Sequence, residues 1–246
     1  MHLIQDHFAG SRQTELKDAH QQFKRIISRL EEIYNVRPFN QQTAKSLTEL
    51  FGLVLAVNPT TILEVGAGSR SSTIALAMAA ARLSRVPRLM SIDVNPGNFT
   101  HFANSQFPQL QLAPVEDVCV EATQFRIPSN CGERIFMLYD AHDDDLPGVK
   151  IFPHARRTWF PEMSRAVVAV HDCSVSPQPQ EGLASYYHQA VFSSEVTLVG
   201  FGEVPGLVEY LHEQKLTLGL PGRELQSLQV GGEGTSLTYF QLPGLS

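Results

Sequence analysis

Five short stretches of the chain carry side chains able to do chemistry. ILEVGAGSRSST (residues 62–73) sets a carboxylate, Glu64, two positions before a Gly66–Ala67–Gly68 loop, with Ser69, Ser71 and Ser72 behind it. SIDVNP contributes Asp93, and PVED contributes Glu116 and Asp117. LYDAHDDD holds Asp140, His142 and Asp143–Asp145, and VVAVHD ends on His171 and Asp172. Glycine in the first stretch lets the backbone turn tightly and a ligand approach without an intervening side chain. The later stretches offer carboxylates and imidazoles, the groups that move protons or ligate cations.

Such residues act only if the fold brings them together. Residues 12–34 carry Leu16, Phe23, Ile26, Ile27, Leu30 and Ile33 at helical spacing. A second amphipathic helix bears Leu47, Leu50, Phe51, Val54 and Leu55 and stops at Pro59. Together residues 1–58 read as an N-terminal helical extension, a lid or a homodimer contact. From Thr61 short apolar runs alternate with helical segments. Strands are expected at Thr61–Val65, Arg88–Val94, Gln109–Val115, Arg134–Ala141 and Ala166–His171. A helix at Gly182–Phe192, a segment Val196–Phe201 and a last strand at Ser236–Leu242 follow, and the Gly/Pro-rich stretch Pro221–Gly234 reads as an exposed connection. Runs apolar on both faces and separated by helices imply a doubly wound α/β fold with a mostly parallel sheet, occupying residues 59–246.

In such sheets ligands bind beyond the carboxyl ends of the strands. Asp93, at the end of the second strand, is placed to accept the hydroxyls of a ribose. A dinucleotide site needs GxGxxG and a helix N-terminus facing pyrophosphate, but here Ser71 stands where the third glycine would be. Glu64 would repel a phosphate and attract a cation. S-adenosylmethionine (SAM), with its sulfonium and α-ammonium, fits that charge.

EVGAGSRSST resembles the first motif of the class I SAM-dependent methyltransferases, and SIDVNP resembles the second. LYDAHDDD and VVAVHD are similar to the fourth and fifth strand ends of that superfamily's small-molecule branch, which includes O-methyltransferases and cephalosporin-hydroxylase-like proteins. The resemblance spans residues 61–174. It implies a Rossmann-like methyltransferase fold and methyl transfer from SAM to a small-molecule acceptor, at a hydroxyl oxygen. It also implies that Glu64, Gly66, Ala67 and Gly68 line the methionine moiety and that Asp93 holds the ribose. Glu116 or Asp117 would meet the adenine, Ser69 and Ser72 would supply contacts at the helix start, and Asp140 would border the same ligand. Arg70 inside the loop departs from the pattern. Two other readings stay open: a non-catalytic or regulatory nucleotide-binding module, and an NAD-dependent dehydrogenase.

Adjacent parallel strand ends lie about 4.8 Å apart, so Asp140 and the His171–Asp172 pair should converge. One imidazole and two carboxylates (Asp140, His171, Asp172) would suit a divalent metal such as Mg²⁺, Mn²⁺ or Fe²⁺. His171 could equally be a general base without metal, with His142 a second base, or the residues could simply shape a turn. Asp143–Asp145 read as a solvated loop, Trp159 and Phe160 as packing, and Tyr186 and Tyr187 as candidate pocket lining.

Composition narrows the partners. A formal charge of −6 argues against nucleic acid as the main partner. No apolar run approaches the roughly 18 residues of a membrane span. Cys119, Cys131 and Cys173 show neither pairing nor metal-finger spacing, which fits free thiols in the cytoplasm.

Overall fold

The computed structural model describes residues 2–35, 41–95, 97–141, 151–163, 165–171, 174–176, 197–199, 204, 206–230 and 237–243. Three helices open the chain: α1 (Leu3–His7), α2 (Gln13–Tyr34) and α3 (Gln41–Val57). Leu16, Ala19, Phe23, Ile26, Ile27 and Leu30 form one buried stripe on α2, whose charged residues face outward. Asn35 ends that helix in the left-handed conformation that short polar residues tolerate.

The sheet then alternates with helices: β1 (Thr61–Val65), α4 (Ser71–Arg82), β2 (Arg88–Asp93), α5 (Phe99–Gln106), β3 (Glu116–Cys119), β4 (Ile135–Tyr139), α6 (Ile151–Thr158) and β5 (Val167–Val170). Short strands β6 (Ser174–Ser176) and β7 (Thr197–Val199) pair with each other, antiparallel and apart from the main sheet. Helices α7 (Leu207–Glu213) and α8 (Pro221–Ser227) precede β8 (Thr238–Gln241). The main sheet runs β3-β2-β1-β4-β5-β8, parallel except for β8, which lies antiparallel to β5. The doubly wound fold expected from the alternating pattern is the one observed.

Side-chain alternation along the strands divides the core in two. Ile62, Leu89, Leu138 and Ala169 face α1–α5 and α8, whereas Leu63, Met90, Met137 and Val168 face α6 and α7. The first core is continuous from the N-terminal helices to the sheet, so α1–α3 pack as a layer of the domain. His20 Nδ1 lies 3.0 Å from Thr48 Oγ1, joining α2 to α3. Buried Glu224 of α8 accepts the N–H groups of Ile4 at 2.7 Å and Gln5 at 3.1 Å, and the Tyr239 hydroxyl at 2.6 Å. That carboxylate ties the first helix to the end of the chain.

Three expectations need correction. The third strand is Glu116–Cys119, not Gln109–Val115; Leu110, Leu112 and Val115 instead pack as irregular chain against the helical layer. Pro221–Gly234 is no exposed connection at its start, because Pro221 opens a helix whose Glu224 and Leu225 are buried. Helix α7, unforeseen, seals the second core with Leu207, Val208 and Leu211. Residues 182–192 lie outside the described residues. Trp159 is fully buried, and its indole N–H donates to the Phe125 carbonyl at 3.1 Å.

Candidate active site

From β1 the chain winds outward to β2 and β3, then returns to β4 on the other flank of β1. The order therefore reverses between β1 and β4, and a crevice opens there at the carboxyl edge. Gly66 leaves β1 with φ +88°, and a Cβ on it would stand 2.4 Å from the Asp140 carbonyl oxygen. Only glycine lets the two strand ends approach so closely. Gly68 (φ +42°) has open space where its Cβ would be, so its face of the loop is free for a ligand.

Asp93 ends β2 and grips that loop. Its Oδ2 accepts the Ala67 N–H at 2.8 Å and the Gly68 N–H at 3.4 Å, and its Oδ1 accepts the Asn95 N–H at 2.8 Å. Across the crevice, His171 follows β5 and places Nδ1 2.9 Å from Asp140 Oδ1. Both side chains remain partly accessible, at 31% and 21% respectively. The sheet thus brings Gly66, Ala67, Gly68, Asp93, Asp140 and His171 to one edge.

Glu64 does something other than line the crevice. It is 0% exposed, and its carboxylate accepts three hydroxyls: Ser72 at 2.7 Å, Thr73 at 2.7 Å and Ser91 at 2.6 Å. Burial pushes its carboxyl up from the ordinary range, the three hydroxyl bonds oppose that, and the field of Asp140 adds to the rise. Ser72, expected beside the ligand, is likewise buried and spends its hydroxyl on Glu64. The two residues fasten the start of α4 to β1. The positive end of that helix favours a carboxylate there.

Arg70 completes the arrangement. The strand register aligns Glu64, Ser91 and Asp117 in one row across β1, β2 and β3. Arg70 lies over that row, donating to Ser91 Oγ at 3.1 Å and pairing with Asp117 Oδ1 at 3.0 Å. Asp117 also accepts the Phe99 N–H at 2.8 Å, which fixes the start of α5. The loop arginine that breaks the sequence pattern is therefore a buried cation that pairs with Asp117 and reaches Glu64 only through the shared Ser91 hydroxyl.

The remaining candidates divide. Ser69 sits in the loop with its hydroxyl 3.2 Å from that of Ser71. Glu116 begins β3, not follows it, and binds Arg88 through both oxygens at 2.9 and 2.8 Å. It belongs to the amino edge, across the sheet from the crevice, and cannot meet an adenine there. The residues that do follow β3, Val120 and Glu121, reach the crevice edge, with the Val120 N–H on the Asp93 carbonyl at 3.2 Å. The misplaced third strand concealed them. His142, Asp143–Asp145, Asp172, Tyr186 and Tyr187 lie outside the described residues. Among the described residues no group of three or more His, Cys, Asp or Glu side chains could hold a metal ion, so the Asp140–His171 pair is what stands there of the expected metal set. No helix among them is long and apolar enough to cross a membrane.

No protein-family model matches the chain, and no curated protein matches it by sequence. Among solved structures it is similar to the O-methyltransferase TomG from Streptomyces achromogenes, involved in tomaymycin synthesis and solved in complex with SAM. The TM-score is 0.52 at 19% identity, over 92% of this chain and 90% of that one. A methyltransferase from Geobacter sulfurreducens superposes more loosely, with a TM-score of 0.48 at 12% identity over 91% of this chain and 89% of that one. At such identities the likeness to TomG speaks of architecture alone. With its parallel sheet, reversed strand order and antiparallel final strand, the chain has the Rossmann-like fold of the class I SAM-dependent methyltransferases.

Proposed function

We propose that the protein transfers a methyl group from SAM to a hydroxyl oxygen of a small molecule. The observation that carries this reading is the open space beside Gly68 together with two carboxylates, Asp93 and Asp140, at the ends of β2 and β4. Anionic strand ends suit a sulfonium ligand and disfavour a dinucleotide's pyrophosphate. The TomG structure, which shares the fold, holds SAM. Gly66, Ala67 and Gly68 would cradle the methionine moiety, Asp93 the ribose, and Val120 and Glu121 would border the adenine. Ser69 would face the ligand from the loop. Bound SAM supplies an electrophilic methyl group.

The chain's own task is then to bind the acceptor and take its proton. His171 is the group placed to do so, as base at Nε2, while its Nδ1 lies against Asp140. The Asp140 carboxylate stabilises the imidazolium that proton uptake creates. Nδ1 already lies against Asp140, so this proton route needs no cation, and a divalent metal is not part of the reading. Free Cys119 and Cys131 fit a reducing cytoplasm. The helices α1–α3 cover one face of the sheet.

Calorimetric titration tests the reading. SAM or S-adenosylhomocysteine should bind and NAD should not. Asp93→Ala should weaken binding by about 1.5–3 kcal/mol, the worth of hydrogen bonds to a charged group. Binding of NAD with no response to S-adenosylhomocysteine would overturn it. Turnover of a hydroxylated acceptor panel should vanish in His171→Ala and survive exhaustive chelation.

A further inference from the structure

The amino edge of the sheet, opposite the crevice, holds a cavity of about 650 Å³ that no step above uses. Its wall is built where strands begin. Thr60 and Thr61 come from the start of β1, Arg88 from the start of β2, Arg134 and Arg165 from the approaches to β4 and β5, and Arg85 from the turn before β2. Four guanidinium groups therefore share one concavity in a protein whose net charge is −6.

Only one of the four is neutralised. Arg88 binds both oxygens of Glu116 and donates to Asn130 Oδ1 at 2.9 Å. Arg85, Arg134 and Arg165 make no ion pair or side-chain hydrogen bond among the described residues, and all three side chains are exposed. Glu133 is the one acidic residue of the lining. Arg165 is held at φ +61°, a left-handed conformation that non-glycine residues seldom adopt. The chain accepts that backbone at the position that adds a guanidinium to the rim.

We infer that this cavity is a second binding site, for a small polyanion bearing two or more phosphate or carboxylate groups. Guanidinium forks match such oxygens bidentately, and several on a concave wall reinforce one another. The volume falls within the usual range of small-molecule sites, about 300–1,000 Å³. A nucleic acid fits less well. The positive charge stays within one concavity of an acidic chain, not along a track, and the lining carries no aromatic ring on which a base could stack. The strands are about five residues long at about 3.3 Å each, so this site lies ~16 Å from the crevice and can fill independently of it.

Calorimetry of the full chain with inorganic triphosphate and, separately, citrate tests the inference and distinguishes phosphate from carboxylate ligands. Saturable binding is expected with at least one of them, weakening steeply as salt rises. Arg134→Ala and Arg165→Ala should each lower affinity about tenfold or more, since each removes hydrogen bonds to a charged group. Arg157→Ala, on α6 and outside the cavity, should leave affinity unchanged. Circular dichroism and the thermal midpoint establish that each variant is folded. Absence of saturable binding by either anion would overturn the site, as would equal losses in the Arg157 variant. Binding of single-stranded RNA, lost in Arg134→Ala and Arg165→Ala without any triphosphate or citrate binding, would also overturn it and make the face a nucleic-acid contact.

Discussion

Among the described residues Glu64 and Glu49 are the carboxylates with no exposed surface, and their surroundings are opposites. Glu64, on β1, receives hydroxyl bonds from Ser72, Thr73 and Ser91. Glu49, on α3, is equally inaccessible, yet neither oxygen has a hydrogen-bond partner among the described residues. The cause lies in their elements. A strand end beside a helix start meets unspent hydroxyls from two directions. A residue inside a helix finds the neighbouring N–H groups already bonded and depends on side chains that reach it. Lys45, one turn earlier on α3, sets a positive field at Glu49. Burial of a carboxyl is thus met in two ways: by hydroxyl donors around Glu64, or at Glu49 by a rise that favours the protonated form.

The comparison breaks most visibly at Glu64. Glu64→Ala would leave three buried hydroxyls without their acceptor. A loss of about 3–5 kcal/mol is expected, the range seen when one partner of a buried polar network is removed. Urea unfolding of the variant and parent measures it. A loss below ~1 kcal/mol would mean that the network contributes little beyond packing. The next effect belongs to Arg70→Met. It strips Asp117 of its cation but leaves it the Phe99 N–H and some solvent, the Asp117 side chain being 18% exposed. A smaller loss of about 2–3 kcal/mol is expected by the same measurement.

The sequence revealed these two regions unequally. Strands β1, β2, β4 and β5 were legible because each is an apolar run, covered on both faces. Strand β3 was not. It is the edge strand EDVC, half exposed and polar, whereas the alternating QLQLAPV before it imitates a strand while packing as irregular chain. That displacement also carried Glu116 to the wrong edge of the sheet and hid Val120 and Glu121. The glycine loop and Asp93 could be read because their local chemistry is distinctive. The partners of Glu64 could be read only in part. Ser72 and Thr73 are near in sequence, but Ser91 arrives from β2, and burial turned the carboxylate from ligand contact into a clamp. Arg70 could not be read at all, since its role depends on a row of residues from three strands. Nothing in the sequence around Glu49 marks it as buried, since α3 carries it among apolar and polar residues alike.

Glu49 sharpens the comparison through pH. Burial raises its carboxyl well above the ordinary range, while the positive fields of Lys45 and His171 oppose the rise and Glu224 adds to it. A group whose pKa is higher in the folded state than in the unfolded chain stabilises the fold fully below its unfolded pKa. That contribution is lost as pH rises through the folded value. Stability should therefore decline upward from about pH 4.5, at no more than about 1.4 kcal/mol per pH unit for one proton. Glu49→Gln, uncharged at every pH, should remove that part of the slope and gain stability at alkaline pH. Unfolding free energies across pH 5–9 read the difference. Parallel curves for parent and variant would show that Glu49 ionises as an ordinary surface carboxylate does.

The smallest effect comes from a third carboxylate that serves as a reference. Glu116 accepts two hydrogen bonds from Arg88 in a bidentate pair, one on each oxygen, so like Glu64 it has both oxygens bonded. Its side chain is 52% exposed and that of Arg88 32%. The guanidinium beside it holds the Glu116 carboxyl below its usual range, the reverse of what burial does to Glu64 and Glu49. Water screens such a pair and solvates either partner when the other is removed. Arg88→Ala should thus cost under about 1 kcal/mol, against several for Glu64→Ala. Raising the salt concentration should shrink even that difference, whereas the Glu64 loss should hardly move. The same variant removes one of the four guanidinium groups from the amino-edge cavity, so triphosphate affinity should fall while unfolding stability scarcely changes. A stability loss as large as that of Glu64→Ala would show that bond count, not burial, sets the energy of these carboxylates.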